Sequence, residues 1–346
     1  MVLFYLMNES IFNPSERWHI NDPLDQSVQA ALNEINLEDS EKLLTNLRNQ
    51  IQTSEKGITF ATLKGENPQE YSDYEALVLF NPFANGAHDG MLVRAEFVRR
   101  VAKYANIRDT EGKLKPIIML ASPSFEKGSK LSLSRDERSH IENGELGIVA
   151  EKLLHVVTEQ GFGRVSLRGF SQGADVALAS GRKLYRANLD AGSVVIGDPV
   201  GEETRSPRHL AADFAKAGPK QLKQSIERTN LRIETHSSKF KETLEFALFG
   251  ASALLLSGNR TLYKGMGVNT FESRIQAVLN EGEIEKLVVA YGTNDAIAKP
   301  SIIEPALQRI YDNNGENSVL SVSVGGGDHS WGDQLTLLAK LYTMTA

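Results

Sequence analysis

Leu167-Arg168-Gly169-Phe170-Ser171-Gln172-Gly173-Ala174 is the stretch whose reading decides the fold. Its core, Gly169 to Gly173, fits the pattern G-x-S-x-G, a nucleophile elbow in which a serine sits on a strained turn between a strand and a helix. Small residues on either side let strand and helix approach closely, and the serine hydroxyl is pushed out of the sheet. Five residues alone say little, because glycine and serine are common; the flanks supply the context. Arg164-Val165-Ser166-Leu167 reads as a short buried strand, and Ala174-Asp175-Val176-Ala177-Leu178-Ala179 as an alanine-rich helix start.

Outward from the elbow the chain alternates between strands and helices. Strands are expected at Ile58 to Leu63 (an early edge strand), Glu75 to Phe80, Pro116 to Ala121, Ser193 to Gly197, Lys286 to Tyr291 and Ser318 to Val324. Helices are expected at Met91 to Tyr104 and Gly144 to Gln160. Continuous apolar strands separated by helices imply an α/β fold with a mostly parallel sheet covered on both faces. Residues 1–57 read as an N-terminal helical extension: Leu24, Val28, Ala31, Leu32 and Ile35 recur at helical spacing, as do Leu43, Leu44, Leu47 and Ile51, with Asp39 or Ser40 as cap. Such a helical pair is expected to pack on the domain surface. Residues 201–282 break the rhythm and read as a helical insertion or cap over the carboxyl ends of the strands. The core is thus divided into 58–200 and 283–346. Met91-Leu92-Val93 and Phe97-Val98 are expected in the core, and Arg99 and Arg100 on a solvated helix face.

The composition sets bounds. At 346 residues, 41% hydrophobic and 24% charged, the chain can bury a large core. A net charge of -6 without a basic tract gives no reason to expect nucleic acid. With no cysteine, disulfides and thiolate chemistry are excluded, and a cytoplasmic location is expected. Met1 to Met7 is too short for a signal peptide. No run reaches the ~18–20 apolar residues of a membrane span; the longest, Phe246 to Leu256, is either an acyl-pocket lining or a helix packed on the core. His88-Asp89, and His329 with Asp328 and Asp333, match no defined metal spacing. No phosphate-binding loop is present.

A serine needs a base, and the base an orienting carboxylate. Tyr291-Gly292-Thr293-Asn294-Asp295 follows one strand and Gly325-Gly326-Gly327-Asp328-His329 follows the last. This gives the chain order serine, acid, histidine, with Ser171, Asp295 and His329 as the candidate catalytic residues. Asp198, in Gly197-Asp198-Pro199, is the rival acid; Asp328 would have to turn back on its neighbour's ring. The oxyanion needs two N–H donors. Gln172 supplies one, and Phe83, in the Asn81-Pro82-Phe83-Ala84 loop, the other, with Ala84 as second choice.

These residues resemble the α/β-hydrolase superfamily over roughly 58–346. Gly169-Phe170-Ser171-Gln172-Gly173-Ala174 with Gly197-Asp198-Pro199 is similar to the cutinase-like and phage mycolate-esterase branch. Asn81-Pro82 stands where common esterases carry His-Gly, and the disulfides of cutinases are missing. The resemblance implies an esterase or lipase-like enzyme that needs no cofactor or metal and acts on a small-molecule or lipid-like ester. Thioesterases and peptidases share the triad. A non-catalytic binding protein on the same scaffold and an envelope-binding lysin are the alternatives from other classes. Oligomeric state is not legible.

Overall fold

A computed structural model describes residues 23–80, 89–120, 133–199, 261, 264–265, 268, 270–281, 284–295, 298–315, 318–324 and 335–343. Eight strands form one sheet in the order β1-β2-β4-β3-β5-β6-β7-β8. They are β1 (Ile51–Thr53), β2 (Thr59–Leu63), β3 (Glu75–Phe80), β4 (Ile117–Leu120), β5 (Arg164–Phe170), β6 (Asp190–Gly197), β7 (Lys286–Gly292) and β8 (Leu320–Val324). Both pairings of β2, with β1 and with β4, are antiparallel. Every pairing from β4 through β8 is parallel.

The described helices are α1 (Pro23–Leu37), α2 (Ser40–Arg48), α3 (Asp89–Tyr104), α4 (Arg135–Glu142), α5 (Gly147–Glu159), α6 (Gln172–Gly181), α7 (Phe271–Glu281), α8 (Pro300–Asn314) and α9 (Leu335–Thr343). All six residues of β3 and all four of β4 are buried. That is what parallel strands covered on both faces require, and it explains their unbroken apolar runs. One apolar layer joins Val78, Leu167, Val194 and Val289 to α5, α6, α7 and α8. The other joins Leu77, Met119, Val195 and Val288 to α1, α2, α3 and α9.

The expected core residues Met91, Leu92, Val93, Phe97 and Val98 are all buried. Three expectations change. The second N-terminal helix stops at Arg48, and Ile51, grouped with its apolar run, instead opens β1, opposite Ala61. The residues near 58–63 are not an edge strand, because β1 covers them on one side and β4 on the other. Arg99 and Arg100 are not solvated: only 7% and 3% of their surface is exposed. Arg99 holds Glu96 through two hydrogen bonds, Nε–Oε2 at 2.7 Å and Nη2–Oε1 at 2.6 Å, and also donates to the Tyr71 hydroxyl. Arg100 reaches Glu96 at 2.8 Å, Glu34 of α1 at 3.6 Å and Glu38, just past the end of α1, at 2.8 Å. The N-terminal helix is therefore clasped to α3 by a charge network as well as by buried Val28, Ala31 and Ile35.

Asp39 caps α2, its side chain accepting from the Lys42 N–H at 2.8 Å. Most of the expected insertion, including Phe246 to Leu256, lies outside the described residues. Its last part, α7, buries Phe271, Ile275 and Val278 against the sheet layer. No described helix is long and apolar enough to cross a membrane.

Candidate active site

The strand register brings the sequence motifs to one edge of the sheet. Phe80, the last residue of β3, stands opposite Gly169 of β5, so β3 ends beside the elbow. Phe170 stands opposite Gly197, which puts Asp198 next to Ser171. Gly197 stands opposite Ala290, and Gly292 opposite Val324. The chain segments that contain Phe83, Ser171, Asp198, Asp295 and His329 thus all leave carboxyl ends of neighbouring parallel strands. That is where open α/β sheets bind ligands, and the switch of strand order at β4-β3-β5 lies among them.

Ser171 is the pivot between β5 and α6. Its φ of 54° and ψ of -126° fall in a region that side-chain-bearing residues rarely adopt. Two backbone bonds hold it there: the Ser171 N–H donates to the Gly197 carbonyl at 2.8 Å, and the Ser171 carbonyl accepts from Ala174 N–H at 2.9 Å. The glycine two residues earlier is a steric necessity. A Cβ on Gly169 would lie 2.1 Å from the Gly173 carbonyl oxygen and 2.7 Å from the Ala174 nitrogen. Strand and helix touch backbone to backbone, so neither can yield.

Gln172 is the first residue of α6, at the positive end of the helix dipole. Asp175, in the same first turn, is 1% exposed and pairs with Arg274 of α7, which fastens the start of α6 to α7.

The two acidic candidates are both buried and sit in different settings. Asp198 has no exposed surface and a positive φ of 39°. Its N–H donates to Ala290 carbonyl at 2.8 Å, while its Oδ1 accepts from the Gly292 N–H at 2.8 Å. It splices the end of β6 to the end of β7. Asp295 is 5% exposed, three residues past β7, and its Oδ1 accepts from the Ala298 N–H at 3.0 Å. That bond closes the turn leading into α8. Phe83 and His329 lie outside the described residues, as does Ala84. Among the described residues no group of histidine and carboxylate side chains could hold a metal ion.

Sequence reasoning passed over Arg168. It is the largest fully buried side chain among the described residues, three positions before Ser171, and burial pushes its guanidinium down to about 9. The signal was in the sequence: a buried parallel strand is expected to be apolar, and an arginine inside β5 breaks that expectation.

No family model and no curated protein matches the sequence. Solved structures do match in shape. An epoxide hydrolase from Vigna radiata superposes with a TM-score of 0.53 at 12% identity, over 86% of this chain and 98% of the other. Naproxen esterase (carboxylesterase NP) from Bacillus subtilis gives 0.52 at 12% identity, over 89% and 98%. A putative aryl esterase from Burkholderia cenocepacia gives 0.50 at 16% identity, over 85% and 98%. The strand order, the helices on both faces and these likenesses give the chain the α/β-hydrolase fold.

Proposed function

We propose that the protein is a serine hydrolase that cleaves carboxylic esters through an acyl-enzyme. The observation that carries this is the backbone of Ser171: a positive-φ serine, held between β5 and α6 by a glycine that cannot carry a side chain. A strained turn persists only where its surroundings over-determine it, and a strained serine at a strand-to-helix junction is the geometry that presents a hydroxyl for attack.

In this scheme His329 accepts the Ser171 proton as Oγ attacks the ester carbonyl. The N–H groups of Gln172 and Phe83 hold the developing oxyanion. His329 then protonates the departing alcohol. Water, deprotonated by His329, releases the acid and restores Ser171. Asp295 holds the imidazole in the right tautomer and stabilises its charged form. Reach is compatible with this. His329 is five residues past Val324, and a chain of that length spans up to ~16 Å, enough to cross back over the ~14 Å between β8 and β5. Asp295 is preferred to Asp198 because it leaves the strand next to β8, whereas Asp198 is committed to splicing β6 to β7.

The fold is shared by proteins named for ester cleavage and for epoxide opening, so it does not select the bond; the nucleophile does. A serine alkoxide that opened an epoxide would end as an alkyl ether, with no carbonyl for water to attack, and would stall. On an ester it forms a second ester, which water cleaves. No cofactor or metal is called for. The substrate class is a small-molecule or lipid-like ester.

Hydrolysis of a p-nitrophenyl ester series tests the assignment. Wild type is expected to turn over, and Ser171→Ala and His329→Ala to lose about 10³-fold or more in kcat. A folded Ser171→Ala protein that hydrolyses esters at the wild-type rate would end the proposal.

A further inference from the structure

We propose that Arg168 is a positioning residue: it ties the strand that carries Ser171 to the end of α9, the helix that follows His329 in the chain, and so fixes the point to which that stretch of chain is anchored. The role deepens, and rests on, the serine-hydrolase reading above.

Arg168 shares a sheet face with Leu79 and Val195, which stand opposite it in the register. Both belong to the apolar layer under α3 and α9. A guanidinium in that layer carries a desolvation cost that leucine or methionine would avoid. Its donors show what it does there. Nε donates to the Tyr342 carbonyl at 2.9 Å, and Nη1 to the Ser193 carbonyl at 2.9 Å and the Leu167 carbonyl at 3.0 Å. One planar group therefore bridges α9, β6 and β5. Tyr342 is next to the last residue of α9, where the carbonyls run out of intrahelical partners and the helix end is negative. The donors of a guanidinium point in fixed directions, so the three bonds gauge the position of that helix end against the nucleophile strand.

The consequence runs along the chain. Segment 325–334 is held at one end by Val324 of β8 and at the other by Leu335 of α9. β8 is fixed by its ladder to β7. α9 is fixed laterally by buried Ala339, Leu341 and Tyr342, and by the pairing of Lys340 with Asp25 of α1. Side-chain packing resists sliding along the helix axis, and a hydrogen bond from a fixed guanidinium to the terminal carbonyl adds a direct axial stop. A shift of α9 would move the anchor of the chain that carries His329, and displacements of about 1 Å at reacting groups can cost about 100-fold in rate.

The test uses the full chain with Arg168→Met, Arg168→Lys and a stability control, Glu75→Gln. Glu75 is buried at the opposite, amino ends of the strands, bound to Thr110 and Lys115. Ester turnover per folded molecule is measured with hydrogen exchange over α9. Arg168→Met is expected to lower kcat by about 10–100-fold with KM changed less than about threefold, and to speed exchange in α9. Arg168→Lys offers a single nitrogen, which cannot span three carbonyls, on a group that burial drives toward its neutral form, and is expected to fall between. Glu75→Gln is expected to lose stability and keep kcat. If Arg168→Met does not fold, Arg168→Lys decides. A folded Arg168 variant with wild-type kcat, or with unchanged exchange in α9, overturns the proposal. Failure of the serine-hydrolase reading shows in a different arm, as esterase activity that survives Ser171→Ala; the exchange arm still reports whether Arg168 holds α9.

Discussion

At Gly169 the demand on the sequence is steric and absolute. An added methyl would meet the backbone of Gly173 and Ala174, which cannot swing away as a side chain would. Overpacking usually costs ~1–3 kcal/mol. Gly169→Ala is therefore expected at or beyond the top of that range in urea denaturation, and a loss under about 1 kcal/mol would show that the strand and helix are not in contact as described. The two aspartates separate in the same way. Asp198→Asn keeps an oxygen for the Gly292 N–H and is expected to retain both stability and activity, whereas Asp198→Ala strands that buried donor at a cost of ~1–3 kcal/mol. Asp295→Asn is expected to cut kcat by about 10³–10⁴-fold with the fold intact, through loss of the imidazole's orienting carboxylate. If the losses fall on Asp198→Asn instead, the acid has been misassigned. The elbow was legible because close packing allows few residue types there, and those types are written in the sequence. What Arg168 binds was not legible, because its partners are backbone carbonyls that any residue could supply.

At the scale of elements, the N-terminal helix and α3 show what helical spacing can and cannot tell. Spacing gave α1 its buried residues Val28, Ala31 and Ile35. It could not show that Glu34 of α1 and Glu38 just beyond it lie over Arg100, because those partners lie far away along the chain. A charged face looks solvated until another charged face covers it. For Glu96, burial alone would raise the carboxyl, but hydrogen bonding to Arg99 and the charges of Arg99 and Arg100 outweigh it and hold the group below its ordinary 4.5. A depressed carboxylate stabilises the fold fully above 4.5, and that contribution is lost as pH falls below it. Wild type is expected to lose urea resistance as pH drops below about 4.5. Glu96→Gln is expected to be ~3–5 kcal/mol less stable at neutral pH, because it takes from buried Arg99 its carboxylate and leaves Arg100 with only Glu34 and Glu38, and to show a shallower acid loss. Parallel pH curves for the two proteins would mean that Glu96 does not carry this network. The strand β1 escaped the sequence for a related reason. Three residues are too few to show a period of two, and Ile51 completes a helical spacing by coincidence.

Over the whole molecule, the alternation of strands and helices gave the fold class, but not the order of strands. Nothing local distinguishes β4 lying outside β3 from β4 lying inside it, and the antiparallel β1-β2 ribbon at the edge follows from pairing partners rather than from pattern. Yet that order is what assembles the site. With β3, β5, β6, β7 and β8 adjacent, five segments whose candidate residues lie up to 246 positions apart (83 to 329) leave one edge together. The proposed order of Ser171, Asp295 and His329 could be read because each lies within five residues of the end of a strand. The central claim is that this edge holds an activated serine, and labelling by a fluorophosphonate, read as intact mass, tests it most directly. The account predicts one adduct on wild type, none on Ser171→Ala, and labelling slowed at least about 100-fold in His329→Ala. No adduct on folded wild type, or an adduct that persists in Ser171→Ala, would contradict it.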